Sequence, residues 1–319
     1  MDCARRGVLV LAAGALIGLF GQPSTALAAE VSVAKSDSGV EVKIGDKPFT
    51  SYLFRSGTKP VLWPIIGPTG KPMTRAYPLD DSDKSEKQDH IHHRSLWFTH
   101  GKVNGISFWD ENKGHGDIVH KELVSAAGGA EAKIVTKNDW IGPDGKKVCE
   151  DLRTIRLGQD GDVRWIDFTV VVTASEGELV FGDTKEGSFG VRVAESMKGD
   201  KPGDGHILNS EGQKDGEAWG KRAAWVDYFG TVQGETVGVT ILNHPSSFRY
   251  PSYWHVRTYG LFAANPFGVH DFTAGKEPAG DAKLAKGETM TLRYRVLFHA
   301  GASDVEKITK AFEKFAADK

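Results

Sequence analysis

Short segments of alternating apolar and polar residues recur along most of the 319-residue chain, and this period of two constrains the fold more than any other feature. Alternation puts successive side chains on opposite faces of a strand, so one face can be buried and the other solvated. Val40-Glu41-Val42-Lys43-Ile44 runs into the turn Gly45-Asp46-Lys47-Pro48 and then Phe49-Thr50-Ser51-Tyr52-Leu53-Phe54, which predicts a hairpin. Further strands are predicted over 118–125, 131–137, 148–157, 163–173, 190–194, 237–242 and 289–298. Asp144-Gly145 and Asp160-Gly161 are turn signals between them. Regular short strands joined by turns predict an all-β chain folded as a large antiparallel β-sandwich.

One helix interrupts this pattern, predicted over 303–317. Ser303 and Glu306 have capping-box spacing, and Val305, Ile308, Phe312 and Phe315 form an apolar stripe. No proline- or serine-rich linker divides the chain, so residues 29–319 are expected to form a single domain. The Gly/Asp/Lys-rich run 198–220 reads as a long loop, and loops of that length in a compact domain are often functional.

Residues 1–28 carry the three parts of an export signal: the basic pair Arg5-Arg6, an apolar run from Gly7 to Phe20, and Ala26-Leu27-Ala28 as a cleavage site. The expected destination is the periplasm or the exterior. The general secretory route is the first reading, and the paired arginines also fit the twin-arginine route for folded cargo. Beyond residue 28 no stretch reaches the roughly 18 uninterrupted apolar residues of a membrane-spanning helix. Cleavage would remove Cys3 and leave Cys149 as the single cysteine, so no intramolecular disulfide is expected. The formal net charge of −2 gives no basic surplus of the kind that binds nucleic acid or anionic membrane. The partner expected is a small molecule or an oligosaccharide.

Three segments concentrate the residues capable of chemistry. The first, from Asp89 to Trp109, contains His90, His92, His93, Arg94, Trp97, His100 and Asn104; six of the eleven histidines lie between His90 and His120. On an extended backbone His90 and His92 share a face and His93 opposes them, so they converge only if the chain bends there. Imidazole is a common transition-metal ligand, which keeps a divalent-metal site among the readings. Yet the chain has no H-E-x-x-H and no cysteine partners, and no cofactor is assured. Histidines bonding loop backbone around a tryptophan core are the bland alternative.

The second segment, Phe181 to Val193, places Asp183 and Glu186 on a turn ahead of a strand, with Arg192 beyond. A carboxylate beside histidine and arginine can serve as a general base or as an acceptor for ligand; an Asp-turn with a surface Glu is the alternative. The third, Asn243 to Gly268, contains His244, Arg249, Trp254, His255, Arg257 and Asn265 with three tyrosines. Aromatic faces stack on the apolar faces of sugar rings, and Arg, His and Asn bind hydroxyls or carboxylates. The same aromatics could fill a core, but so many arginines beside them are harder to bury, because buried charges must be paired. Nucleophile elbows and nucleotide-phosphate loops are absent from the sequence.

These three segments together resemble a family of exported bacterial proteins often labelled PmoA and otherwise known as DUF6807. The family's usual glycine after His-His-Arg is Ser95 here, and its usual Asp-His-Pro reads Asn243-His244-Pro245. The resemblance implies a galactose-mutarotase-like supersandwich, a fold that hosts sugar epimerases, lyases and hydrolase appendages, with histidine and carboxylate groups on a concave sheet moving protons. The methane-oxygenase label is read as a misannotation, because that membrane subunit is a bundle of transmembrane helices.

The expectation is therefore an exported carbohydrate-active protein of lyase, epimerase or hydrolase type, with a histidine acid and a carboxylate base. His92, His93, His100, Asp183, Glu186 and His255 are the catalytic candidates. Arg94, Asn104, Arg192, His244, Arg249, Trp254, Arg257 and Asn265 are the candidates for binding substrate. A glycan-binding protein without catalysis and a histidine-ligated metalloenzyme are the alternatives.

Overall fold

The computed structural model describes residues 30–277 and 280–318, together with Met1, Asp2 and Gly7. The expected export signal thus lies almost wholly outside the described residues. Among those described, no helix is long and apolar enough to cross a membrane.

Two eight-stranded antiparallel sheets face each other. The first holds, in spatial order, β1 (Val31–Ser36), β2 (Gly39–Ile44), β3 (Lys47–Ser56), β4 (Lys59–Leu62), β5 (Leu96–His100), β11 (Gly187–Arg192), β16 (Leu261–Asn265) and β15 (Tyr253–Val256). The second holds β12 (His206–Asn209), β13 (Trp225–Val232), β14 (Glu235–Asn243), β18 (Thr289–Ala300), β9 (Val163–Thr173), β8 (Lys147–Asp160), β7 (Ala132–Ile141) and β6 (Asp117–Ala127). A small pair, β10 (Leu179–Phe181) with β17 (Ala282–Leu284), lies to one side. The expected large antiparallel β-sandwich is what forms.

The core lies between the sheets and is built by alternation. On β7 and β8 every second residue is buried over most of the strand, including Ile134, Trp140, Cys149 and Ile155. Aromatic rings lock the layers together: Phe189 of the first sheet stacks on Tyr294 of the second at 4.7 Å, and Phe49 meets Phe298 edge-on at 6.1 Å. Ring pairs of this kind add about 0.5–1.5 kcal/mol each beyond the area they bury.

A short turn of helix, α1, spans Val269–Phe272, and the predicted C-terminal helix, α2, spans Val305–Ala316. Its cap is Asp304, whose side chain accepts from the Lys307 N–H, while the Ser303 hydroxyl has no partner. The predicted box is thus displaced by one residue. Ile308 and Phe315 pack α2 against Trp225, Leu242 and Leu297 on the outer face of the second sheet. The run 198–220 is not one loop: it contains the edge strand β12 and a 3-10 turn at Asp215–Ala218.

Candidate functional site

The three chemistry-bearing segments become neighbouring strands of the first sheet. His100 pairs with Gly187 and Trp97 with Gly190 between β5 and β11; Gly190 pairs with Ala263 of β16, and Ala263 with His255 of β15. Val61 of β4 opposes Trp97, so Val61, Trp97, Gly190, Ala263 and His255 form one row across five strands. Neighbouring strands lie about 4.8 Å apart, which makes the row about 19 Å long. Side chains one residue on, such as Phe98, Phe189 and Trp254, point into the inter-sheet core. The row therefore faces outward, and the chain between β4 and β5 folds over it.

Small residues in the middle of the row leave space for large ones beside it. A Cβ on Gly190 would lie 2.7 Å from Cζ2 of Trp97, so the indole rests directly on the glycine backbone. Above it, rings stack in continuous order: Trp97 on His93 at 5.5 Å, His93 on His90 at 4.7 Å, and His90 on Tyr259 at 5.3 Å. His92 stands edge-on to His93 at 4.5 Å. The chain bends to achieve this: His90 and Ser95 both have left-handed backbone, φ 46° and 57°. Glycine adopts that conformation with least strain, and here a histidine and a serine occupy it. Because His90 and His93 stack face to face, their in-plane lone pairs do not meet at one point. Among the described residues no group of three or more His, Cys, Asp or Glu side chains is placed to hold a metal ion.

Charged groups support this stack. Arg75, fully buried, donates to the Asp89 carboxylate at 2.8 Å and to backbone carbonyls of Tyr77, Lys87 and Asp89. Burial works to raise the Asp89 pKa, but hydrogen bonds from Arg75, His90 and Lys87 prevail and hold it below the usual carboxylate range. Arg192 approaches both Asp89 and His93 at 3.4 Å, and its buried Nε has no partner. Burial and the nearby Arg75 charge lower its pKa to about 10 despite Asp89. Arg94 grips Glu111 with two bonds of 2.7 Å, and buried Lys59 lies 3.4 Å from the same carboxylate. Burial is the main reason the Lys59 amine falls to about 8, with Glu111 opposing it.

His92 and His255 form a second group with Glu186 and Tyr259. Burial pulls His92 down to about 4, helped by the Lys59 charge and opposed by Glu186. Burial likewise lowers His255, again opposed by Glu186. Glu186 thus lies within electrostatic reach of both imidazoles and of Tyr259. The His255 Nδ1 lies 2.8 Å from the Lys185 carbonyl, which accepts only a proton donor, so Nδ1 carries the hydrogen and Nε2 keeps its lone pair. The Tyr259 ring lies 5.0 Å from the Arg192 guanidinium and 5.6 Å from that of Arg257. Burial raises its phenol pKa against those two charges, so the hydroxyl stays protonated at neutral pH.

Of the sequence candidates, His92, His93, Glu186, Arg192, His255 and Arg257 come together here. The others are placed differently. His100 faces the core against Phe181 and Phe267, with Nε2 on the Gly182 carbonyl at 2.8 Å and Nδ1 on the Ser188 hydroxyl at 3.1 Å. Asp183 accepts from the His270 and Gly280 N–H groups and so ties its turn to both. Asn104 braces Val180 at an exposed turn, and Asn265 holds the Thr184 carbonyl and the Phe267 N–H. His244 sits against Phe315 of α2, Arg249 donates to the carbonyls of Pro266, Gly280 and Asp281, and Trp254 donates to Ala223 inside the core. Arg94 is committed to Glu111. Residue type and spacing do not distinguish Asp89, Glu111, Tyr259 and Trp219, which the structure also places here; Trp219 lies in the run 198–220.

Residues 39–313 match the profile of a family described as being of unknown function. The chain belongs to DUF6807. No curated protein matches the sequence. Among solved structures, it is similar to the galactosidase domain of an alpha-galactosidase–sucrose kinase, with a TM-score of 0.42 and 10% identity over 85% of this chain and 42% of that one. It is also similar to a polysaccharide lyase, with a TM-score of 0.33 and 11% identity over 89% of this chain and 34% of that one. The DUF6807 chain thus spans less than half the length of either.

Proposed function

We propose that this member of DUF6807 is an exported enzyme that moves a proton on a sugar or oligosaccharide held against the outward face of the first sheet. One observation carries the reading. Three distant segments bring a carboxylate, Glu186, within electrostatic reach of two neutral imidazoles, His92 and His255, beside aromatic rings suited to stacking on sugar.

The expected assignment of a histidine acid and a carboxylate base changes, because both imidazoles are driven toward the neutral form. His255, with its tautomer fixed by the Lys185 carbonyl, presents Nε2 as the base. Tyr259, a protonated phenol whose hydroxyl bonds no described residue, is the acid. Glu186 stabilises the imidazolium that forms when His255 takes the proton. Proton transfer by positioned groups of this kind contributes about 10²–10⁴-fold in rate.

The test is turnover on a panel of oligosaccharides, with products identified by mass spectrometry. Tyr259→Phe and His255→Gln should each lower kcat by about 10²-fold or more while leaving binding within a few-fold. Binding without product in the unmodified protein would instead make this a glycan-binding protein.

A further inference from the structure

Beyond His255 the row of outward-facing groups ends at Trp219. The backbone that follows it is tied to the sheet edge: the Gly220 N–H donates to the Trp254 carbonyl at 2.9 Å, and the Trp254 backbone N–H donates to the Lys221 carbonyl at 3.1 Å. The Trp219 ring stands edge-on to His255 at 6.4 Å and to Phe272 at 5.5 Å. The Arg257 guanidinium lies 5.8 Å from the indole ring and 5.6 Å from the Tyr259 ring. Packed against two rings, the Arg257 guanidinium makes no hydrogen bond or ion pair with any described residue, and only the backbone of Arg257 is bonded, its N–H to the Leu261 carbonyl at 2.7 Å.

Next to this pair is a cavity of about 300 Å³ lined by Gly216, Trp219, Val256, Arg257 and Thr258. No acidic residue lines it. The indole Nε1–H of Trp219 is buried and also lacks a partner. A second cavity, of about 520 Å³, shares Gly216 and Trp219 and is bordered by Gln213, Glu217 and Lys221. Trp219 therefore borders two spaces, with an uncompensated cation at the first.

An arginine fixed between aromatic faces retains its full fork of donors for a planar anion. A guanidinium that forms no ion pair with any described residue leaves those donors open to a ligand anion. We propose that the Trp219–Arg257 cavity is a subsite for the negatively charged substituent of a sugar unit, a carboxylate or a sulfate ester, one unit away from the proton-transfer group. The inference rests on the sugar reading of the adjoining site and sharpens it: the substrate is an acidic glycan, and Trp219 and Arg257 select for its charge.

Isothermal titration of the full chain with oligogalacturonate, its neutral methyl ester and a sulfated galactan oligosaccharide tests this. Charge-assisted bonds of this type correspond to about tenfold or more in affinity, so at least one acidic probe should bind that much more tightly than the ester. Preference for the uronate or for the sulfated probe identifies which anion is read. Arg257→Gln should abolish the preference and Arg257→Lys should retain part of it. The lysine variant guards against misfolding, because a collapsed protein would lose all binding in both. Equal affinity of the unmodified protein for acid and ester overturns the subsite while leaving the sugar reading intact. Binding of none of the three overturns the sugar reading and the subsite together.

Discussion

Acid should destabilise this protein through His100, and the size of the effect follows from where the ring sits. His100 is fully buried between Phe181 and Phe267, and both ring nitrogens are satisfied in the neutral form. Burial, opposed by the bond to Gly182, lowers its pKa from 6.5 to about 4. The folded value lies below the unfolded one, so the unfolded chain takes up more protons as pH falls. The contribution is complete above pH 6.5 and is lost as pH drops toward 4, with a ceiling of about 3 kcal/mol at 1.36 kcal/mol per unit. Between pH 7 and pH 5 linkage gives a loss of about 2 kcal/mol from this ring alone. Urea titrations of the unmodified protein and of His100→Gln at both pH values isolate it. The substitution has its own packing cost, but that cost cancels when each protein is compared with itself. The unmodified protein should lose about 2 kcal/mol more than the variant between the two pH values. An equal loss in both proteins would refute the reasoning, since it would mean that His100 does not titrate differently on folding.

Five other substitutions probe the site and the C-terminal helix. Gly190→Ala forces a Cβ against the Trp97 indole and should cost about 1–3 kcal/mol in thermal unfolding, with a loss of ligand affinity as the ring stack tilts. Glu111→Gln leaves Arg94 and Lys59 buried without their carboxylate and should cost about 3–5 kcal/mol, whereas Lys59→Met, which leaves the Arg94–Glu111 pair intact, should cost clearly less. Asp304→Ala should lower Tm more than Ser303→Ala, because the Asp304 side chain holds the first turn of α2 and the Ser303 hydroxyl bonds nothing.

The sequence was legible where one face of a strand is solvated. β8 and β9, at 147–160 and 163–173, alternate cleanly and were expected within a few residues of their bounds. Alternation does not reveal β5, β15 and β16, and the reason is physical. Every residue of Leu96–His100, Tyr253–Val256 and Leu261–Asn265 is buried, because loops cover the outer face as the second sheet covers the inner one. Strands buried on both faces lose the period of two. The same covering concentrates Trp, His and Arg there, so these segments stood out as chemistry before they could be seen as structure. What spacing could not resolve was facing: His100 and Trp97 share a strand, yet one enters the core and the other floors the site. Nor could it separate arginines that brace backbone, such as Arg249, from one whose guanidinium bonds no described residue, such as Arg257.

The pairing order of the first sheet has a kinetic consequence. β6 to β9 form a meander of successive neighbours, so that part of the second sheet can zip up as the chain appears. β5, β11, β16 and β15 are adjacent in space but come from residues 96–100, 187–192, 261–265 and 253–256. Closing such long loops precedes any gain from the contacts they bring, which slows folding of non-local sheets. The face carrying His92, Glu186 and His255 is therefore expected to be among the last parts of the molecule to assemble. Ligand binding there would report that the whole chain, and not merely its meander, has reached the native state.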